Sequence, residues 1–395
     1  MKVFDPRHEM LPRAELEQLQ LERLQSLLVR LKRNVRRYRE KIADIRVERV
    51  EDLARLPVTT PEDLVESFPY GMFAQPLREV IRLNSLVGPN GRPLVTGHTR
   101  HDLAQWGRLG ARQLFASGVT VNDVIQICLG GGARQGSSGY VLGAETLGAS
   151  VIAEDPSHVD YQLAMLQNYR PTVLITTPTN ATELIRLLNL RRVDPQSLNL
   201  RTILLSRPVD ADTRRQLQAG LFAAVQCSFG IGEILDPGLC VECEEGRFHV
   251  NEDQFLVEAL DGELVVTTLC REAVPLLRYR TQVNCEARRE KCACGRTGIV
   301  LIPGSRRDRR LRVNEAPLYE HQIAEVLQQT SAAGHSFQLE VLERGIVVRL
   351  EMTEDLMHDT VWPIINLQRE LASEFYARLG IEAEIVFVER PPRVS

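Results

Sequence analysis

Short β-rich segments alternate with helical segments between residues 80 and 270, and this alternation limits the fold more than any other feature of the chain. Such a pattern is typical of a largely parallel sheet whose strands are joined by crossover helices. We therefore predict a large α/β domain with mixed and parallel sheets. The predicted strands are 124–129, 150–153, 172–176, 202–205 and 262–268, and the predicted helices are 162–168, 180–190 and 211–221.

Two further regions complete the predicted organisation. Near the N-terminus, leucines at a helical period between 16 and 31 predict a helix, and Thr60-Pro61 predicts the capped start of another. The Arg/Asp run at 306–310 predicts a domain boundary. Beyond it, predicted helices at 319–330 and 361–379 alternate with strands at 337–342, 345–351 and 382–388, which indicates a small α+β domain. We place the N-terminal domain at 1–307 and the small, mobile C-terminal domain at 308–395.

Charge and hydropathy exclude several classes of protein. The 395 residues carry a formal net charge of −4, which is too small to indicate a polyanionic partner, and we interpret the basic residues between 30 and 41 as a solvated helix face. No apolar run approaches the roughly 18–20 residues that span a bilayer. The first residues lack the apolar core of a signal peptide. We predict a cytoplasmic protein with no nucleic-acid or membrane partner.

Cysteines cluster in one part of the chain. In a reducing compartment such clustering favours a metal site over disulfides. Three thiolates and an imidazole suit a closed, tetrahedral structural zinc site. Two ligand sets are open, because either His249 or Cys240 can join Cys243, Cys292 and Cys294. We interpret the remaining cysteines, which are Cys128, Cys227, Cys270 and Cys285, as bystanders or buried free thiols.

Short motifs spread along the whole chain carry a resemblance to a known family. They include Leu-Pro-Val-Thr-Thr at 56–60, Gly-Ala-Glu-Thr-Leu-Gly-Ala at 143–149, Phe-Gly-Ile-Gly-Glu at 229–233, Arg-Tyr-Arg-Thr at 278–281 and Cys-Ala-Cys-Gly-Arg-Thr at 292–297. Their order and spacing resemble the phenylacetate-CoA ligase family of adenylate-forming enzymes. The resemblance implies that ATP, with Mg²⁺, and a small carboxylate form an acyl-adenylate, which coenzyme A then converts to a thioester. It favours Cys243 and His249 as zinc ligands, and it also implies a homodimer, since dimers are common in the family.

The segment 82–93 aligns with the phosphate loop of that family but lacks its hydroxyl side chains. Leucine, valine, proline and asparagine stand at the Ser/Thr positions, and Pro89 has no N–H to donate. Gly88, Gly91 and Arg92 remain as candidate phosphate ligands. The alternative interpretation is a simple surface turn.

The other nucleotide-site positions are partly retained. By resemblance, Glu233 is the acid that holds magnesium and the candidate catalytic residue, and Gly230 and Arg280 are candidate cofactor-binding residues. Arg207 stands where the adenine-contacting segment usually carries Glu, and Val283 stands where the family has the ribose-binding Asp. No lysine follows Lys291, so the adenylating lysine is expected to be missing.

Two weaker signals are interpreted as non-functional. The glycine-rich segment 130–136 follows a strand, but no helix clearly starts there, so we predict a flexible loop. His98 and His101 could bind an anion, but we predict that both lie on the surface.

Two hypotheses follow. The protein is a catalytically impaired relative that keeps the ligase scaffold to bind an acyl or nucleotide ligand. Alternatively, it is an active, divergent AMP-forming acid–CoA ligase, or an acyltransferase that uses an activated acyl donor.

Overall fold

The computed structural model describes residues 2–42, 45–88, 92–129, 134–152, 159–307, 311–313, 316–330, 332–333, 335–342, 345–351 and 361–388. The chain divides into two compact units, Met1–Asp308 and Arg309–Ser395. Each unit is described by itself. Within the described ranges, no helix is both long and apolar enough to cross a membrane.

Four helices open the larger unit. They are α1 (Pro6–Glu9), α2 (Arg13–Asn34), α3 (Arg36–Lys41) and α4 (Pro61–Glu66). Five periodic leucines of α2 are buried, as their spacing predicts: Leu16, Leu24, Leu27, Leu28 and Leu31. Helix α4 begins as predicted, because the Thr60 hydroxyl accepts a hydrogen bond from the Asp63 N–H and Pro61 occupies the first turn.

An antiparallel ribbon follows, formed by β1 (Val80–Val87) and β2 (Pro93–Thr99). Its register pairs Arg82 with His98 and Asn84 with Thr96, so these four side chains lie on one face of the ribbon. Helix α5 (Arg100–Ala116) starts directly after β2, at a capping box formed by Thr99 and Asp102.

The parallel sheet predicted from the alternation of segments is confirmed. Its strands are in the order β4-β3-β5-β6-β7, and every pair is parallel. The elements in chain order are β3 (Val124–Cys128), α6 (Arg134–Leu147), β4 (Ser150–Ile152), α7 (Val159–Tyr169), β5 (Val173–Thr176), α8 (Pro178–Arg191), β6 (Thr202–Leu205), α9 (Ala211–Leu221) and β7 (Ala224–Cys227).

The prediction that no helix starts near residues 130–136 is wrong. Helix α6 begins at Arg134, and the preceding glycines at 130–132 lie outside the described residues. The close packing of α6 against α5 explains its stability, since Gly110 and Gly143 approach so closely that a Cβ on Gly143 would lie 2.7 Å from the Gly110 carbonyl carbon.

A six-stranded antiparallel sheet completes the larger unit. Its strands, in the order β10-β11-β12-β13-β9-β8, are β8 (Cys240–Glu242), β9 (Phe248–Val250), β10 (Phe255–Leu260), β11 (Glu263–Thr268), β12 (Tyr279–Arg288) and β13 (Val300–Arg306). Strand β11 coincides with the predicted strand at 262–268. Because β13 pairs with both β12 and β9, the loop between β12 and β13 lies next to the β8–β9 turn.

The smaller unit has its own α+β core. Its elements are β14 (Leu311–Val313), β15 (Ala316–Leu318), α10 (Glu320–Gln328), β16 (Phe337–Val341), β17 (Gly345–Glu351), α11 (Val361–Leu379) and β18 (Glu382–Val388). Strand β17 pairs antiparallel with β16 and parallel with β18. Ile323 of α10, Val348 of β17 and Phe375 of α11 are completely buried together, so both helices cover the sheet as predicted.

Candidate metal centre and nucleotide-site segments

Four side chains meet where the β8–β9 turn lies beside the β12–β13 loop. Cys243 follows β8 and His249 lies in β9, while Cys292 and Cys294 belong to the loop. Their ligand atoms all lie within 4.8 Å of one another. The Sγ atoms of Cys243 and Cys292 are 3.8 Å apart, and Sγ of Cys294 lies 3.4 Å from Nε2 of His249.

The orientation of His249 suits a metal ligand. Its Nδ1 lies 3.1 Å from the Gly298 carbonyl oxygen, so Nδ1–H donates to that oxygen and Nε2 faces the three sulfur atoms. Burial lowers the pKa of His249, which keeps the imidazole neutral, and burial raises the pKa of the Cys243 thiol to about 12. A metal ion would reverse the second effect, because it binds thiolates and releases their protons.

The donor set of three thiolates and one imidazole fits a tetrahedral zinc ion and leaves no coordination position for a substrate. Among the residues that the structure describes, the cluster consists of these four, and Cys240 and Cys285 lie outside it. Cys240 is instead fully buried within β8, where it pairs with Val250. The set with His249 is therefore the one whose ligand atoms converge.

The β12–β13 loop also contacts the start of the chain, which sequence reasoning missed. Arg296, two residues after Cys294, donates from Nε to Oε2 of Glu9 over 2.8 Å, and both side chains are 2% exposed. Arg296 also donates to the Lys2 carbonyl oxygen. No local pattern signals this pairing, since its partners lie 287 positions apart.

The phosphate-loop segment is partly described. The Gly88 N–H donates to the Arg92 carbonyl oxygen over 2.8 Å, so this backbone donor is already engaged within the turn. Gly88 is also sterically required, because an added Cβ would lie 2.6 Å from Cγ of buried Leu94. The Arg92 side chain is exposed. Gly91, with Pro89 and Asn90, lies outside the described residues.

The segment 229–233 forms a buried turn. Ile231 and Leu235 exchange backbone hydrogen bonds across it, and an added Cβ on Gly230 would lie 2.5 Å from Oδ1 of Asp236. Gly230 is thus required by the close approach of the chain. Glu233 is 6% exposed and has interaction partners within the fold.

The last three residues of the Arg-Tyr-Arg-Thr motif lie in β12, and Arg278 directly precedes the strand. Arg280 donates from Nε to Oε2 of Glu263 over 2.9 Å, and this hydrogen bond raises the pKa of Arg280. Val283, at the position of the ribose-binding Asp, is 3% exposed and belongs to the main hydrophobic core. Arg207, at the adenine-contacting position, is exposed.

The prediction that His98 lies on the surface is wrong. Its side chain is completely buried, and its ring stacks on the Trp106 indole with 4.9 Å between centroids and 14° between planes. His101, at the start of α5, is exposed as predicted.

Comparisons with known proteins agree on one family. The phenylacetate-coenzyme A ligase of Thermus thermophilus is 33% identical over 401 residues, covering 96% of this chain and 87% of that protein. Proteins with the same name from Pseudomonas putida and Escherichia coli K12 are each 29% identical and cover 94% and 95% of this chain, or 89% and 91% of their own lengths. No sequence-family model matches the chain.

Solved structures show the same fold. A 2-hydroxyisobutyryl-CoA ligase in complex with 2-HIB-AMP and CoA superposes with a TM-score of 0.87 at 22% identity, covering 98% of this chain and 90% of that one. The amide bond synthetase McbA from Marinactinospora thermotolerans gives a TM-score of 0.54 at 13% identity, covering 80% and 67%. The scaffold of adenylate-forming enzymes is therefore present.

Proposed function

Because the chain belongs to the phenylacetate-coenzyme A ligase family, we propose that it binds an acyl ligand on the ligase scaffold without adenylating it. In this proposal, residues 1–307 hold the ligand and residues 308–395 form the small domain. The protein is cytoplasmic. The single observation that carries the proposal is the buried Val283 at the ribose position.

Val283 cannot replace the carboxylate that the family places there. Its side chain lies in the hydrophobic core and offers no hydrogen-bond acceptor. Each ribose hydroxyl that loses its acceptor in a buried site costs about 1–3 kcal/mol. Two such losses would weaken nucleotide binding by a factor of roughly 30 or more, since 1.4 kcal/mol corresponds to tenfold.

The candidate phosphate ligands support the same conclusion. The Gly88 N–H donates to Arg92 and not outward, and the Arg280 guanidinium is paired with the Glu263 carboxylate. These groups already have partners within the protein, whereas a triphosphate requires hydrogen-bond donors that are free to bind it. Gly88 and Arg280 thus support the proposal that ATP with Mg²⁺ is not used, and we derive no reaction step through that cofactor.

One observation favours the alternative of a divergent, active ligase or acyltransferase. The turn that carries Glu233 is intact, and its carboxyl residue is kept in a buried position. A buried acid at the position that holds magnesium in the family is consistent with a rebuilt active site. Product analysis therefore has to accompany binding measurements.

Calorimetry on the purified protein tests the proposal. We expect no saturable heat with ATP–Mg²⁺ or AMP, binding of at least one member of a panel of aryl and acyl acids or their thioesters, and no pyrophosphate release. A Val283→Asp variant that gains AMP affinity would identify the valine as the cause. Pyrophosphate release by the wild-type protein with any acid would refute the proposal and favour the active ligase. Acyl transfer from a thioester without pyrophosphate would favour the acyltransferase.

We also propose that Cys243, His249, Cys292 and Cys294 hold a structural zinc ion. When bound, the ion supplies a tetrahedral cross-link between the β8–β9 turn and the β12–β13 loop. Elemental analysis is expected to give one zinc per chain. Metal-free protein whose Cys292→Ser variant is as stable as the wild type would remove this proposal.

A further inference from the structure

The inner face of the β1–β2 ribbon carries a cluster of polar side chains. The strand register places Arg82, Asn84, Thr96 and His98 on this face. Arg271, from the loop after β11, joins them, because its Nη2 donates to the carbonyl oxygen of Gly97, between Thr96 and His98, over 3.0 Å. His98 is stacked on Trp106, so the cluster lies against α5 and not in solvent.

The cluster contains buried hydrogen-bonding atoms that have no partner among the residues that the structure describes. They are Nη1 of Arg82, Oγ1 of Thr96, Nδ1 of His98 and Nε of Arg271. Thr96, His98 and Arg271 are 1%, 0% and 7% exposed. Buried polar atoms are almost always paired in folded proteins, so four unpaired atoms on these neighbouring side chains indicate a missing ligand.

All four atoms can donate a hydrogen bond. The two guanidinium nitrogens and the threonine hydroxyl are donors by their chemistry. The Asn84 Nδ2 lies 2.9 Å from Nε2 of His98, so Nε2 accepts and the proton of the neutral ring is on Nδ1. The missing ligand is therefore an acceptor.

The charges around the cluster indicate the charge of that ligand. Burial, and then the positive charges of Arg271 and Arg82, lower the pKa of His98 to about 2, so the imidazole contributes no charge. Asp102 acts on Arg271 electrostatically, but its oxygens already accept from the N–H groups of Thr99, Glu272 and Ala273. The cluster thus contains two positively charged guanidinium groups and the neutral His98 imidazole, and the nearby Asp102 carboxylate already accepts hydrogen bonds from other groups.

We propose that Arg82, Thr96, His98 and Arg271 bind a compact anion. Two sources share this chemistry: an inorganic anion such as chloride, and the carboxylate of a small organic acid. Arg271 also donates from Nη1 to the Ile234 carbonyl oxygen over 2.9 Å, so the bound anion would stabilise the contact between the ribbon and the turn that carries Glu233. This site does not depend on the nucleotide or on the proposed function.

Thermal unfolding of the full-length protein tests the site. The unfolding temperature is measured during titration with sodium chloride, bromide or acetate, at constant ionic strength maintained with a bulky sulfonate salt. We expect a saturable rise for the wild type. Thr96→Val removes one donor at nearly constant volume, and Arg82→Gln removes one charge, so each should weaken the apparent affinity about tenfold or more.

A matched control separates local binding from general charge effects. Arg100→Gln removes an exposed arginine at the start of α5, directly after the ribbon, and should leave the titration unchanged. Bromide-soaked crystals should give one anomalous peak between Arg82 and Arg271. Saturation by chloride and bromide alone identifies an inorganic anion, whereas tighter binding of acetate identifies an organic acid.

A buried water molecule would overturn the inference. In that case no salt gives saturation, no bromide peak is found in the cluster, and Thr96→Val shifts the unfolding temperature equally in every salt. An equal response of Arg100→Gln and Arg82→Gln would also refute the site, because it would reduce the effect to surface charge.

Discussion

Replacing Glu9 with Gln tests the contact between the β12–β13 loop and the start of the chain. In the wild type, Oε1 of Glu9 accepts hydrogen bonds from the N–H groups of Phe4 and Asp5. Glutamine keeps the side-chain length and an oxygen that can accept these hydrogen bonds. It removes the charge that faces Arg296 at 2.8 Å. Both side chains are 2% exposed, so the guanidinium would stay buried without its counter-ion. Breaking one partner of such a pair costs about 3–5 kcal/mol.

A double-mutant cycle measures how much of this loss of stability comes from the interaction between Glu9 and Arg296. Arg296→Met replaces the cation with an apolar chain, and the combination with Glu9→Gln leaves no uncompensated charge at this position. We expect the double variant to be more stable than the sum of the two single losses predicts, by about 1–3 kcal/mol. The charge of Glu9 also acts on Arg112. The part of the stability loss that comes from Arg112 will therefore remain in the double variant.

Urea unfolding, followed by the fluorescence of Trp106 in a Trp362→Phe background, reports on the larger unit. The matched control is Glu17→Gln, because Glu17 accepts from Arg13 at 2.7 Å in a pair that is 38% and 32% exposed. That exposed pair should contribute at most about 0.5 kcal/mol. The reasoning fails if Glu9→Gln costs no more than Glu17→Gln, or if the two losses of the cycle are simply additive.

Three further outcomes are expected. Cys294→Ser should abolish the zinc content measured by elemental analysis, whereas Cys240→Ser should retain it; equal loss from both would contradict the ligand set. Burial alone would raise the pKa of Asp123, but hydrogen bonds, led by that from Arg201, lower it to about 2. The ionised Asp123 therefore stabilises the folded state above the unfolded pKa of about 3.9, and this stabilisation is lost as the pH falls towards 2. Asp123→Asn should accordingly make the free energy of unfolding less dependent on pH over this window. Gly230→Ala should lower the free energy of unfolding by about 1–3 kcal/mol, because its turn has no room for a methyl group; an unchanged urea midpoint would show that the turn relaxes.

Local rules predicted the parts of the fold that depend on neighbouring residues. The alternation of segments predicted the parallel sheet, and Thr60 with Pro61 predicted the start of α4. Helix α6 was missed because glycines precede it, and its stability comes from close packing on α5, which a sequence window does not contain.

In the candidate sites, too, local sequence predicted some features, whereas others depend on contacts between distant segments. Cysteine spacing predicted that Cys243, Cys292 and Cys294 come together, but the choice between His249 and Cys240 depends on which side chain the β8–β9 pairing turns towards the loop. His98 was placed on the surface because no local signal indicates that the ribbon packs on Trp106. The Arg271 contact was missed for the same reason, since it joins segments 174 positions apart.

The contact between Glu9 and Arg296 also has a consequence for biosynthesis. Its partners are separated by 287 positions, and at about 5–20 residues per second the ribosome needs roughly 15–60 s to pass from one to the other. During that interval the Glu9 carboxylate has no Arg296 guanidinium to pair with. The N-terminal segment can dock only after the loop with Cys292 and Cys294 has left the exit tunnel. Assembly of the cluster of Cys243, His249, Cys292 and Cys294 and completion of the larger unit are therefore expected to occur late in translation, within the same step.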